Sequence, residues 1–396
     1  RWKRVTGVQT CALPISQVDR AFDAPEKTLP EALQADVKAS APTWKRLPAE
    51  RRQFLKLISR FDLTLEQAEK IYDKDSRNAQ GWNGTDVEII TNPYRIYECS
   101  RHDPIGIQLL AIDRGVFPDD TVRLKHPLEE PSRLDSAIDL RRVRAFCIAS
   151  LEVSAATGHT LLSPDRVVES VRNYPVKPSC QVTGDILRTR LVDMAPEIVP
   201  VDLNGDTGLQ LERYKVIGDL VRKEVLGRLK GARHTVSVDW LKALTIKLGD
   251  PLDAEDIRAH QEKAAGLKEL AEARFSILAG PAGAGKTTVL GILCAQPEIA
   301  NGTILLLAPT GKARVRMQEL AGGSSASAMT IAQFLNQHGR YDGKAGRYVT
   351  SSLPKATSYG TVIVDESSML TEDMLGALMD ALKGVTRYIF VGDPAQ

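Results

Sequence analysis

Gly280-Pro-Ala-Gly-Ala-Gly-Lys-Thr287 has the spacing Gly-x4-Gly-Lys-Thr. Residues of these types in this order hold phosphate. Gly280, Gly283 and Gly285 let backbone N–H groups curl around phosphate oxygens without Cβ clashes. The apolar run Phe275–Leu278 comes just before, and Thr288-Val-Leu-Gly-Ile-Leu opens a helix just after. A helix N-terminus placed there adds the positive end of its dipole. In that setting Lys286 is expected to reach the β- and γ-phosphates of a nucleotide, and the Thr287 hydroxyl to ligate Mg²⁺. Thr288 belongs to the same nucleotide-binding turn.

Hydrolysis needs an acidic partner at the tip of a neighbouring strand. Thr361-Val-Ile-Val-Asp365-Glu366 supplies one, roughly 80 residues downstream. Asp365 is expected to hold Mg²⁺ through its water shell. Glu366 is expected to orient or deprotonate the attacking water. By itself, an apolar strand ending in Asp-Glu is a common surface turn. Its weight comes from following a complete phosphate loop in alternating α/β context.

The elements that must position these groups are short apolar runs with helices between them. Phe275-Ser-Ile-Leu, Thr303-Ile-Leu-Leu-Leu, Thr361-Val-Ile-Val and Arg387-Tyr-Ile-Phe-Val each end in a polar or Gly-rich turn. This predicts an α/β fold, a buried parallel sheet with crossover helices, over 251–396. Upstream, residues 17–170 read as helical. Phe54, Leu55 and Ile58 lie at helical spacing. Thr64 with Gln67 forms a capping-box pattern. The longest helix of that region is expected over Asp139–Ala156, with Gly158 as its C-cap. Over 171–250, a helix near Asp185–Met194 leads to two alternating runs around Asn204-Gly205, the pattern of a β-hairpin and of a small winged-helix-like module. A basic amphipathic helix is expected over Tyr214–Leu229.

The chain of 396 residues has room for two or three domains. With 43% apolar and 26% charged residues it has a globular composition. No apolar run approaches the ~20 residues of a membrane-spanning helix. The 52 basic and 50 acidic side chains leave a net charge of +2, which excludes a strongly basic nucleic-acid coat and leaves room for a local basic groove. Five scattered cysteines offer no zinc-ligand spacing and no disulfide framework, in keeping with a reducing cytoplasm.

Residues 1–16 resemble the read-through translation of a sequencing adapter and are set aside from fold reasoning, Cys11 with them. The other end, Tyr388-Ile-Phe-Val-Gly-Asp-Pro-Ala-Gln396, stops just after a buried-strand pattern. The expectation is a fragment cut at both ends.

The order of these pieces resembles the RecD-like group of superfamily 1 helicases, the family of the exonuclease V alpha subunit and its stand-alone relatives. Gln261 lies where that family has its adenine-reading glutamine. Ala308-Pro-Thr-Gly-Lys-Ala313 resembles motif Ia, whose Thr310 and Lys312 would contact the single-strand backbone. Met329-Thr-Ile-Ala-Gln-Phe-Leu resembles the next segment, with Ala332 and Gln333 in place of the usual His and Arg. Asp365-Glu-Ser-Ser-Met369 resembles motif II. Gly392-Asp-Pro-Ala-Gln396 resembles the start of motif III, in which Gln396 would sense the γ-phosphate. Upstream, Asn92-Pro-Tyr-Arg95, Arg142-Val-Arg-Ala and Gly158-His-Thr-Leu-Leu resemble parts of a helix-hairpin-helix region. Ile105-Gly-Ile107 is its nearest hairpin candidate, and His159 reads as a turn residue. Gly339–Val349 falls where the family inserts a β-hairpin pin at the duplex fork. There Tyr341 and Tyr348 would stack on bases, and Arg340 and Arg347 would meet phosphate.

The resemblance implies an ATP-dependent DNA helicase of repair or recombination that uses Mg²⁺ and moves 5′→3′ on single-stranded or forked DNA. It also implies a second lobe bringing an arginine finger, so the chain alone should bind Mg–ATP weakly and hydrolyse it slowly. Partner subunits are left open. Two alternatives stay beside this reading: another P-loop ATPase, relaxase- or nuclease-associated, and a non-enzymatic DNA-binding module in the helical half.

Overall fold

A computed structural model describes residues 15–79, 81–281, 283–300, 302–320 and 326–395. The chain divides into two compact units, Arg1–Glu212 and Arg213–Gln396.

The first unit is mainly helical. Helix Ala49–Ile58 buries Phe54, Leu55, Leu57 and Ile58. The capping box at Thr64 forms: its hydroxyl accepts from the Gln67 amide at 3.2 Å, and the Gln67 side chain accepts from the Thr64 amide at 2.9 Å. Helix Leu140–Ala156 starts at the Asp139 cap. It ends where Gly158 takes φ 91° and the His159 amide returns to the Ser154 carbonyl at 3.0 Å. Two of the resembling segments meet in this unit's interior. The Tyr94 hydroxyl donates to Asp113 at 2.6 Å, and Arg142 grips the same carboxylate at 2.7 and 3.0 Å. Arg142 and Asp113 have no exposed side-chain surface, so burial and the Asp113 charge push the Tyr94 phenol well above its usual pKa. The Ile105-Gly-Ile107 turn is tight for a steric reason: a Cβ on Gly106 would lie 2.1 Å from the Ser100 carbonyl oxygen.

The expected hairpin is β1 (Ile198–Leu203) paired antiparallel with β2 (Asp206–Leu211), in register from Ile198↔Leu211 to Leu203↔Asp206. Asn204 and Gly205 turn it with φ 57° and 101°, the left-handed pair that a two-residue hairpin loop requires. The helix before it is shorter than the sequence pattern suggested: Gly184–Thr189 is α-helical, and Leu191–Met194 tightens to a 3₁₀ turn.

The second unit begins earlier than residue 251. Helix Glu212–Leu229 opens it, and Trp240 and Leu244 of helix Trp240–Leu248 are buried in its core. Its centre is a five-stranded parallel sheet: β3 (Phe275–Ala279), β4 (Ile304–Ala308), β5 (Ser327–Thr330), β8 (Thr361–Val364) and β9 (Arg387–Gly392). The strand order is β3-β9-β8-β4-β5. Between β5 and β8 runs a two-stranded hairpin, β6 (Tyr341–Asp342) with β7 (Arg347–Tyr348).

Alternation along the central strands divides the core into two layers. Ile304, Leu306, Ile363, Ile389 and Val391 face one layer, with Leu267, Leu290 and Leu293. Leu305, Leu307, Val362, Val364, Tyr388 and Phe390 face the other, with Phe334 and Leu378. Both faces are covered, which is why these strands read as continuous apolar runs. Strand β5 was not legible in that way: Ser-Ala-Met-Thr is half-buried at the sheet edge. Among the described residues no helix is long and apolar enough to cross a membrane.

Candidate nucleotide site and nucleic-acid interface

Because the five strands are parallel, their carboxyl ends line one edge of the sheet, where ligands of open α/β sheets bind. The phosphate loop leaves β3 at that edge. Gly283 and Gly285 adopt φ 82° and 78°, conformations that a side chain disfavours. Gly285 caps helix Lys286–Cys294 without any side-chain acceptor. The first amides of that helix are thus left to an outside anion. Lys286 folds over the loop, its ammonium donating to the carbonyls of Gly280 at 2.5 Å and Pro281 at 2.9 Å. Thr287 is exposed and Thr288 half-buried in the first turn.

The acidic pair leaves β8 at the same edge. The Asp365 amide donates to the Leu307 carbonyl of β4 at 2.9 Å, which fixes the start of the turn. Glu366 sits in the left-handed region at φ 50°, ψ 39°. A non-glycine residue there stores roughly 1–2 kcal/mol of backbone strain. The Met369 amide closes the turn on the Glu366 carbonyl at 3.0 Å. Asp365 and Glu366 are both half-buried.

One strand, β9, separates the loop strand β3 from the acid strand β8. Two strand spacings make a gap of about 9.5 Å. That is room for a metal-bound phosphate chain and a water between loop and carboxylates. The tip of β9 touches both sides. The Gly280 amide donates to the Gly392 carbonyl at 3.2 Å. A Cβ on Gly392 would lie 2.9 Å from the Ser367 hydroxyl and 3.2 Å from the Ser368 amide. Asp393, 8% exposed, then caps the Ala395 amide at 2.9 Å. Gln396 lies outside the described residues.

Gln261 is exposed on helix Ala254–Glu272. The neighbour of the loop on that helix is Lys263, whose Cε would stand 3.9 Å from a Cβ built on Gly285. Sequence reasoning missed Lys263, because one lysine in a charged helical run carries no distinguishing pattern.

The residues expected at nucleic acid separate into groups. Thr310 and Lys312 are exposed just beyond β4, on the edge that carries the phosphate loop. The Thr310 hydroxyl accepts from the Ala313 amide at 3.3 Å and so caps helix Gly311–Leu320. Gln333, at the position of the family's arginine, serves as the other half of a capping box with Thr330.

Arg340 corrects the expectation made for it. It is fully buried, paired with Asp380 at 3.1 Å, and donates to the carbonyls of His338, Ser351, Leu353 and Pro354. A guanidinium engaged this way holds the return of the chain after the hairpin and is not available to phosphate. The spacing alone could not show that the first hairpin arginine points inward. Tyr341 and Tyr348 stand opposite each other across β6–β7, ring centroids 4.8 Å apart. Both rings pack partly onto the second core layer, and burial, then the Tyr341 ring, raises the Tyr348 phenol pKa. Arg347 is half-buried in β7 opposite Asp342.

Residues 257–396 match the domain family described as an AAA domain. The chain is 29% identical over 156 residues to the RecBCD enzyme subunit RecD of Mycolicibacterium smegmatis, covering 34% of this chain and 27% of that protein. It is 30% identical over 136 residues to the ATP-dependent RecD2 DNA helicase of Deinococcus radiodurans, covering 34% and 18%. It is 28% identical over 287 residues to the RecBCD enzyme subunit RecD of Mycobacterium tuberculosis, covering 68% and 45%. The chain therefore spans less than half the length of each of these relatives. A complete phosphate loop, an acidic pair two strands away and these matches make the chain similar to the RecD-like group of superfamily 1 helicases.

Proposed function

We propose that the second unit is the ATP-hydrolysing lobe of a DNA helicase that moves 5′→3′ along single-stranded or forked DNA. The observation that carries the ATPase part is the shared sheet edge: phosphate loop on β3, acidic pair on β8, and the β9 tip in contact with both. The donor set suits a magnesium nucleotide, with free helix amides, an ammonium, an exposed threonine hydroxyl and a half-buried carboxylate. Thr287 and Asp365 would hold Mg²⁺, which when bound neutralises charge on the phosphate oxygens. Lys286 moves from the loop carbonyls to the β- and γ-phosphates. Glu366 orients the attacking water and takes its proton. Gln261 reads the adenine, and Gln396 senses the γ-phosphate.

The nucleic-acid part rests on Thr310 and Lys312 at the same edge, with Tyr341, Arg347 and Tyr348 on the hairpin. Translocation direction and a role in repair or recombination rest on the family resemblance. The test pairs binding of a fluorescent ATP analogue with phosphate release and with displacement of 5′- and 3′-tailed duplexes. Lys286→Ala should weaken analogue binding at least tenfold and leave the circular dichroism spectrum unchanged. Undiminished binding by that variant would overturn the site. Displacement of only the 3′-tailed duplex would overturn the direction.

A further inference from the structure

The helical unit contains a buried arginine that makes no ion pair among the described residues. Arg60 follows helix Ala49–Ile58 and is 4% exposed. Its Nε donates to the Gly115 carbonyl at 2.8 Å and its Nη2 to the His126 carbonyl at 3.1 Å. Its Nη1 is buried and makes no hydrogen bond among the described residues. Burial lowers the Arg60 pKa to about 10. A buried cation with an unused donor and no ion pair is costly to keep, and an anion bound in the adjoining cavity would lower that cost.

Arg60 lines a cavity of about 310 Å³. Arg123, His126, Arg133 and one acid, Asp120, share its wall, with Leu128 and Leu134 as apolar surface. Arg123 lies over the Phe117 ring at 4.0 Å and pairs with Asp120; Arg133 pairs with Glu130 and Asp135. Those three acids are 67–79% exposed, so water screens their hold on the two arginines. Burial first, then Lys125 and Arg60, lower the His126 pKa, so its ring is neutral at pH 7. With three arginines and one aspartate in its wall the cavity is positive, and among the described residues Arg60 is the arginine of that wall without an ion pair.

We propose that this cavity binds a nucleotide-sized phosphate ester, with the buried Arg60 guanidinium as the counter-charge to the phosphate. Three arginines converging from separate chain segments suit the several oxygens of a phosphate better than a single carboxylate, because each guanidinium offers a planar fork of donors. The volume is at the lower end for small-molecule sites, and the leucine wall suits the organic part of the ester. The phosphate is supplied by a free nucleotide or by a nucleic-acid strand. This site is separate from the phosphate loop and does not depend on the ATPase reading.

The experiment measures binding to the whole chain carrying Lys286→Ala, which suppresses signal from the loop. Probes are thymidine 5′-monophosphate, thymidine, and a 5′-phosphorylated oligothymidylate. The monophosphate should bind saturably and thymidine should not. Arg60→Gln should reduce monophosphate affinity at least tenfold. Because Arg60 also holds two carbonyls, the double variant Arg123→Gln/Arg133→Gln, on partly exposed positions, should show the same loss with an unchanged melting temperature. An oligonucleotide that binds tenfold tighter than the mononucleotide, and is equally sensitive to the arginine variants, identifies a strand as the source. Equal affinities identify a free nucleotide. Equal binding of thymidine, no saturable binding of either phosphate probe, or unchanged affinity in the double variant would overturn the proposal.

Discussion

The amide of Gly280 donates to the carbonyl of Gly392 across 3.2 Å, tying the first residue of the phosphate loop to the last residue of β9. Gly392 also lies against Ser367 and Ser368, just beyond the acidic pair. One glycine therefore touches both halves of the nucleotide site, and any motion of it is felt on both sides.

Gly392→Ala should disturb that junction. The new methyl group would meet Ser367 and Ser368 inside normal contact distance. Overpacking of this kind costs about 1–3 kcal/mol. A drop in melting temperature together with at least a tenfold loss of ATP turnover is expected. A stable, fully active variant would show that the two sides move independently.

Glu366 allows catalysis and strain to be separated. Glu366→Gln keeps the left-handed backbone and removes the proposed base, so ATP analogue binding should persist while hydrolysis falls by ~10²-fold or more. Glu366→Gly removes the base and the strain together. It should be as inactive, yet at least as stable as the glutamine variant, since glycine adopts φ 50° without penalty. Thermal melts of the two variants side by side provide the check.

Arg340 and Arg347 should respond in opposite ways. Arg340→Met leaves Asp380 buried with only Lys355 at 3.4 Å and the Ser351 amide at 2.9 Å, so the cost should lie at or below the lower end of the ~3–5 kcal/mol typical of breaking a buried pair. Adding Asp380→Leu should recover much of that loss. Arg347→Ala should change stability little and weaken single-strand binding, with a shallower salt dependence. Denaturant melts and salt titrations of DNA binding measure the two effects.

Acid should weaken the helical unit through Asp86. Its carboxylate takes Arg77 at 2.5 Å and Arg51 at 2.7 Å. Burial alone would raise its pKa, but the two arginines outweigh that and hold it below the usual carboxylate value. The sign follows: the folded state binds its proton less readily than the unfolded chain. The stabilisation is present above about pH 3.9, the unfolded value, and is lost as pH falls through the folded pKa. Asp86→Asn should lower stability at pH 7 and flatten this part of the acid-unfolding curve. An unchanged curve would assign the acid sensitivity to other groups.

The amino-acid sequence by itself determined the parts whose signal is local. The phosphate loop, the acidic pair, the Thr64 capping box and the Asn204-Gly205 turn are each written within a few neighbouring residues, because glycine torsions, caps and helix starts depend on near neighbours. Strands β4, β8 and β9 were legible because both faces of the sheet are covered there, which makes most of their positions apolar, and the edge strand β3 from its place just before the phosphate loop. Only the tertiary structure decided what depends on residues far apart in the chain. It inserted β9 between β3 and β8 and so set the width of the site. It drew Trp240 and Leu244 into the core of the second unit, turned Arg340 inward onto Asp380, and left Arg60 buried beside a cavity without an ion pair among the described residues. An arginine's charge reads the same in sequence wherever it lies; whether it meets solvent, an aspartate or an empty cavity is settled by packing, through the high cost of removing it from water.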